Sequence, residues 1–188
     1  MEEAARLDRD RSILLIIDVQ ERLAPHIEGH EALIRRCEAL ITAATGFGIP
    51  RLLTEHCPDQ IGPAVVRLRA RFAPDEIFVK TRFGAADHAE FARMLVPGRD
   101  QIVVAGMEAH VCVMQTVLGL VARGLRIFIV CDAIGSRGVR SDDRQYAIDR
   151  MRVAGCTVVG TETALFEWAR AGDDARFRET LGLVKGLP

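Results

Sequence analysis

Three residues of contrasting chemistry each follow a short apolar run. Asp18 follows SILLII, Lys80 ends EIFVK, and Cys112 lies a few residues past QIVVA, through Gly106-Met107-Glu108. A carboxylate can accept a thiol proton, and an ammonium group can hold that carboxylate and stabilise a thiolate. The N-terminus of a helix offers backbone N–H donors to an oxyanion. Together these parts are the equipment of a nucleophilic-cysteine acyl transferase or hydrolase that lacks a histidine base. Singly, each has an ordinary reading: Asp18 as a cap or turn residue, Lys80 as a solvated strand end, and Cys112 as a small core residue. The position of Cys112 argues for reactivity, because the first turn of a helix favours thiolate and lowers the thiol pKa. His110 is not expected to pair with it, since residues two apart point about 200° apart on a regular helix.

The elements that must carry these residues are legible from periodicity. Continuous apolar runs at 12–18, 49–54, 76–80, 101–105, 126–131 and 157–159 read as strands buried on both faces. Helical patterns occupy 31–47, a weak stretch near 63–71, 86–95, 109–123, 141–154 opened by the cap-like Ser141, and 162–171 with a continuation to about 181. Six strands alternating with helices predict an α/β fold: a three-layer αβα sandwich on a six-stranded, mainly parallel, Rossmann-like sheet. The expected organisation is a single domain over residues 1–188. In such sheets ligands bind beyond the carboxyl ends of the strands, where Asp18, Lys80 and Cys112 are expected to meet.

Composition narrows the class. With 188 residues, the chain is long enough to bury a core without disulfide or metal staples. The 25 Lys+Arg against 26 Asp+Glu leave a net charge of −1, so no global field draws nucleic acid or an anionic membrane. The longest apolar runs fall far short of the ~20 residues a membrane span requires. The opening MEEAARLDRDR lacks the layout of a secretory signal. Five cysteines with no CxxC pair argue against a disulfide framework or structural zinc and for a reducing, cytoplasmic compartment. Cys37, Cys131 and Cys156 fall in apolar contexts and read as packing residues, whereas Cys57 lies in a candidate pocket loop.

At the three reactive positions the sequence resembles the isochorismatase-like cysteine hydrolases. The matching stretches are LLIIDVQERL (14–23), FVKTRFGA (78–85) and VVAGMEAHVCVMQTVLGLVARG (103–124), followed by IVCDAIGSR (129–137) and TETALFEW (161–168). They cover essentially the whole chain in order. The resemblance implies a triad of Asp18, Lys80 and Cys112, with Cys112 as nucleophile, Asp18 as general base and then acid, and Lys80 orienting the pair. It also implies a cis peptide at Met107–Glu108, which turns the Glu108 N–H towards that of Cys112 to form an oxyanion hole. The implied reaction is attack on an amide-type carbonyl of a small molecule, a thioester intermediate and hydrolysis by water.

The chain departs from one branch of that superfamily. Nicotinamidases carry an Asp-x-His and a later His after the second strand, which bind a metal. Here the segment reads Thr54-Glu55-His56-Cys57-Pro58, with no second His until His88. Three or four convergent ligands are needed for a metal site, so neither a metal nor another cofactor is expected. Gln20 is a candidate pocket residue or cap. His56 is a candidate substrate contact, and Phe83 a pocket wall or a packing residue. Glu108 is expected to act through its backbone. The mixed-charge stretch of Arg137, Arg140, Asp142, Asp143 and Arg144 reads as a solvated helix entrance, and in similar proteins this face contributes to subunit contacts. A homo-oligomer is expected. Two other readings remain: an oligomeric binding or scaffold protein with little catalysis, and isochorismatase-type vinyl-ether hydrolysis that does not need Cys112.

Overall fold

The computed structural model describes residues 6–138 and 141–188, with the Ser141 side chain left out; the Ser141 cap and Arg140 therefore lie outside the described residues. Six strands, β1 (Ser12–Ile17), β2 (Arg51–His56), β3 (Ile77–Lys80), β4 (Gln101–Met107), β5 (Arg126–Gly135) and β6 (Thr157–Val159), form one sheet. Its order is β3-β2-β1-β4-β5-β6, and every pairing is parallel. The helices are α1 (His30–Phe47), α2 (Pro58–Ile61), α3 (Val66–Arg69), α4 (Ala89–Met94), α5 (Met114–Val121), α6 (Ser141–Val153), α7 (Thr161–Ala169) and α8 (Phe177–Lys185).

The unbroken apolar runs have a direct physical cause, since both sheet faces are covered. Leu14 and Ile16 of β1 join α1, α7 and residues of β4 and β5 in one core. Ile13, Leu15 and Ile17 point the other way, into a second core with α4, α5 and α6. Side chains alternate across a strand, so a strand between two helical layers must be apolar at every position. Trp168 of α7 is fully buried and donates its indole N–H to the Ser12 hydroxyl at 3.0 Å.

Several boundaries differ from the sequence expectation. The second strand runs to His56, two residues further than the apolar run suggests, because Glu55 and His56 keep their ladder partners on β3. Strand β5 continues past Cys131 to Gly135, so Cys131 is mid-strand and only partly buried. There Asp132 interrupts the apolar run, but its carboxylate accepts the Thr161 N–H and hydroxyl at 2.9 and 2.8 Å and meets Arg36 at 3.2 Å. It ties β5 to α7 and α1. The expected helix at 109–123 is a wide turn (Ala109–Val113) leading into α5, and the C-terminal continuation is the separate helix α8.

The order of strands creates a crevice. From β1 the chain runs outward through β2 and β3, then returns to pair β4 on the other side of β1. The segments leaving β1 and β4 therefore diverge, which opens a cleft at the carboxyl edge between them. Gly106 makes the close β1–β4 approach possible. It sits at φ +133° beside a register shift in β4, and a Cβ there would lie 2.1 Å from the Ile17 carbonyl oxygen.

Candidate active site

Asp18 is the first residue past β1 and adopts φ 51°, a left-handed conformation that Asp tolerates better than most residues. Its N–H still bonds the Thr54 carbonyl at 3.1 Å, so it remains anchored to β2 as the chain turns. Each carboxylate oxygen has a partner: Oδ1 accepts the Thr54 hydroxyl at 2.5 Å, and Oδ2 accepts Lys80 Nζ at 2.7 Å. Lys80, the last residue of β3, is fully buried and also donates to the carbonyls of Phe83 at 2.9 Å and Arg82 at 3.3 Å. An ammonium group has three protons, and here three oxygens receive them. Thr54 was not singled out from sequence. Its signal was a hydroxyl inside an otherwise apolar, doubly buried strand.

Cys112 lies on the wide turn, in which the Val113 and Val111 N–H groups both reach the Glu108 carbonyl, at 3.2 and 3.1 Å. The Met107–Glu108 peptide bond ahead of it is cis. The thiol is buried and interacts with both Asp18 and Lys80. Burial, and secondly the Asp18 charge, push its pKa well above the ordinary thiol value, while Lys80 pulls the other way. This reverses the expected direction. The thiol belongs to a five-residue wide turn beneath the surface, where desolvation and a neighbouring carboxylate outweigh the helix end. The cluster therefore favours a protonated thiol beside the Asp18–Lys80 ion pair.

The turn is fastened to the end of β5. The Glu108 carboxylate accepts the Arg137 N–H at 3.2 Å and its Nε at 2.9 Å. His110 Nδ1 lies 3.1 Å from the Ser136 hydroxyl, so its ring is engaged with β5's end. Arg137, read from sequence as part of a solvated entrance, thus braces the residue next to the cis bond.

The three pocket candidates take different places. Gln20, read as a pocket residue or cap, is neither: it is fully buried with its amide taken up by backbone. Its Oε1 accepts the His56 N–H at 2.7 Å, and its Nε2 donates to the carbonyls of His56 at 3.0 Å and Gly62 at 2.5 Å. Phe83 is 48% exposed, with its ring 5.1 Å from that of His56. Glu55 faces away from metal chemistry, its Oε1 accepting the Ala64 N–H at 2.8 Å and Arg69 Nε at 2.9 Å. Among the described residues no three His, Cys, Asp or Glu side chains converge as metal ligands. Cys57 sits at φ 41° with its N–H on the Lys80 carbonyl at 2.9 Å. No described helix is long and apolar enough to cross a membrane.

Residues 12–163 match the Isochorismatase domain family. Isochorismatase domain-containing protein 1 of Salmo salar is 32% identical over 175 residues, which is 93% of this chain. The chain spans only 61% of that relative's length. Among solved structures, the MAR1 ribonuclease from Caenorhabditis elegans superposes with a TM-score of 0.90 at 32% identity, covering 98% of this chain and 95% of that one. The YcaC gene product of Escherichia coli, described as an octameric hydrolase of unknown specificity, gives a TM-score of 0.87 at 25% identity, with 100% and 91% covered. This chain belongs to the isochorismatase domain family and has its hydrolase fold.

Proposed function

We propose that the protein is a cysteine hydrolase that cleaves the C–N bond of a small amide-like metabolite. The observation that supports this most is the burial of Asp18, Lys80 and Cys112 in one contact cluster at the crevice between β1 and β4. Because the thiol rests protonated, a base is needed, and Asp18 is the adjacent carboxylate. Sγ attacks the carbonyl carbon as the S–H proton passes to Asp18. The backbone N–H groups of Glu108 and Cys112 receive the resulting oxyanion. Collapse breaks the C–N bond, Asp18 returns the proton to the leaving nitrogen, and a thioester remains on Cys112. Water then adds, with its proton taken by Asp18, and releases a carboxylic acid and the free thiol. Lys80 keeps Asp18 in place throughout and bears no group itself. The reaction uses no cofactor, and the protein acts in the cytoplasm as a homo-oligomer on a small molecule.

The test is turnover of a panel of amides, ureides and carbamoyl compounds, with a vinyl ether and, given the name of the Caenorhabditis elegans relative, a single-stranded RNA. Replacing Cys112 by Ala should lower hydrolysis by about 10⁴-fold or more, as for other covalent nucleophiles. Full turnover by the Ala variant would overturn the assignment. Vinyl-ether cleavage indifferent to Cys112, or partner capture without any hydrolysis, would each replace it.

A further inference from the structure

Two buried side-chain nitrogens among the described residues have no hydrogen-bond partner: Nδ1 of His56 and Nε2 of His88. His88 packs edge-on against Phe78, at 5.3 Å between ring centroids, within an apolar cluster. His56 adjoins the reactive pair. It is the residue opposite Lys80 in the β2–β3 ladder, and its ring senses the charges of both Lys80 and Asp18. A buried nitrogen without a partner costs free energy unless a ligand or water supplies one.

The placement of this ring is strongly determined. Gln20 pairs with both the N–H and the C=O of His56, as a neighbouring strand would. It continues β1's hold on β2 past the point where the backbone turns away at Asp18. Phe83 supports one side of the ring at 5.1 Å. Burial, and then the Lys80 charge, keep the imidazole pKa below its ordinary value, so the ring is neutral at pH 7. The Arg82 backbone opposes that shift by favouring a proton on the ring. A neutral imidazole carries its proton on one nitrogen and a lone pair on the other; with the proton on Nε2, the unpartnered Nδ1 is an acceptor.

We propose that His56 is a specificity-determining residue whose Nδ1 accepts a hydrogen bond from an N–H of the bound amide, so that primary and secondary carboxamides are selected over tertiary ones. This rests on the assignment of Cys112 as the amide-directed nucleophile. Oxyanion donors lie on the β4 side of Asp18, and the His56 acceptor lies on the β2 side. A carboxamide spanning the two presents its oxygen to one and its nitrogen to the other. A tertiary amide leaves Nδ1 without a partner, and an unmet buried acceptor discriminates against it.

The experiment compares alkylation of Cys112 by 2-chloroacetamide and by 2-chloro-N,N-dimethylacetamide, mapped by peptide mass spectrometry. Rates are taken relative to a small free thiol. The wild-type protein should favour the N–H-bearing probe by about tenfold beyond the free-thiol ratio, the effect of one neutral hydrogen bond. His56→Phe should abolish that preference, and His56→Asn, which keeps an acceptor oxygen, should retain part of it. An unchanged preference in His56→Phe overturns the proposal while leaving the nucleophile intact. Absence of any preference in the wild type does the same. Failure of both probes to modify Cys112 overturns the nucleophile assignment and this inference with it.

Discussion

Replacing Lys80 by Met tests whether the buried ion pair holds the site together. Methionine keeps most of the apolar length of the side chain and removes the ammonium group. In the native protein Nζ lies 2.7 Å from Asp18 Oδ2, and the two side chains are 0% and 1% exposed. At an effective dielectric of about 20, unit charges at that distance attract by about 6 kcal/mol. Desolvation of both ions offsets much of this, so the pair contributes little net stability as a unit. Removing one member is different, because the other stays buried and uncompensated. The expected cost is about 3–5 kcal/mol, a large fraction of the ~5–15 kcal/mol of a typical domain. The Arg82 and Phe83 carbonyls also lose their Nζ donor, which adds to the cost rather than reducing it.

The assay is urea denaturation of wild type, Lys80→Met, Asp18→Asn and the double variant. The double variant should be more stable than the sum of the single losses predicts, with a coupling of about 2–3 kcal/mol. A single-variant cost below about 1 kcal/mol, as for exposed pairs, would refute the reasoning. So would additivity to within about 0.5 kcal/mol. If Lys80→Met fails to fold, recovery of folding in the double variant reports the same coupling.

Gly106→Ala should cost more than about 4 kcal/mol in the same assay, since its Cβ would lie 2.1 Å from the Ile17 oxygen. Gly98→Ala is the control: it also has positive φ, but nothing lies within 4 Å, so its cost should be only about 1–2 kcal/mol. Equal losses would mean that backbone angle alone matters. Three buried thiols predict an alkaline limb of stability. Burial raises Cys37, Cys112 and Cys156 above the ordinary 9.0, Cys156 to about 11. The folded protein therefore retains protons that the unfolded chain releases, and stability present below pH 9.0 is lost as pH rises. The urea midpoint should fall progressively between pH 9 and 11, and less steeply in Cys156→Ala; a flat profile over that range would contradict the burial argument.

The sheet was legible because it is built from local repetition. A strand covered on both faces must be continuously apolar, and runs such as Ile13–Leu15 and Val103–Ala105 carry that requirement in adjacent residues. Strand ends were less legible, because polar residues can continue a ladder when they have partners elsewhere. Asp132 stays in β5 because Thr161 and Arg36, both distant in sequence, receive its carboxylate. Glu55 stays in β2 because Ala64 and Arg69 do the same. Neither partnership leaves a periodic trace. Asp18, Lys80 and Cys112, which the fold brings into one cluster, each stand just beyond an apolar run, which is again a local signal. The direction of the Cys112 shift differs from the expectation, since the helix-end argument counts only the turn that carries the thiol and not the depth at which that turn is buried.

Gln20 and Thr54 show why the surroundings of a site are harder to read than its centre. Each is an ordinary polar residue, and each acts on a partner 36 positions away. The turn at Asp18 explains why both are required. A left-handed residue turns the chain out of β1's ladder with β2 just where the carboxylate meets Thr54 and Lys80. Thr54 then restrains the carboxylate, and Gln20 restores with its side chain the pairing that the backbone has given up. The same bend that turns Asp18 towards Lys80 thus also fixes His56. Orientation of the proposed base and position of the proposed acceptor are set by one local distortion, so on this reading a change at Gln20 should disturb ligand selectivity before it disturbs the Asp18–Lys80 contact, which β3 holds independently.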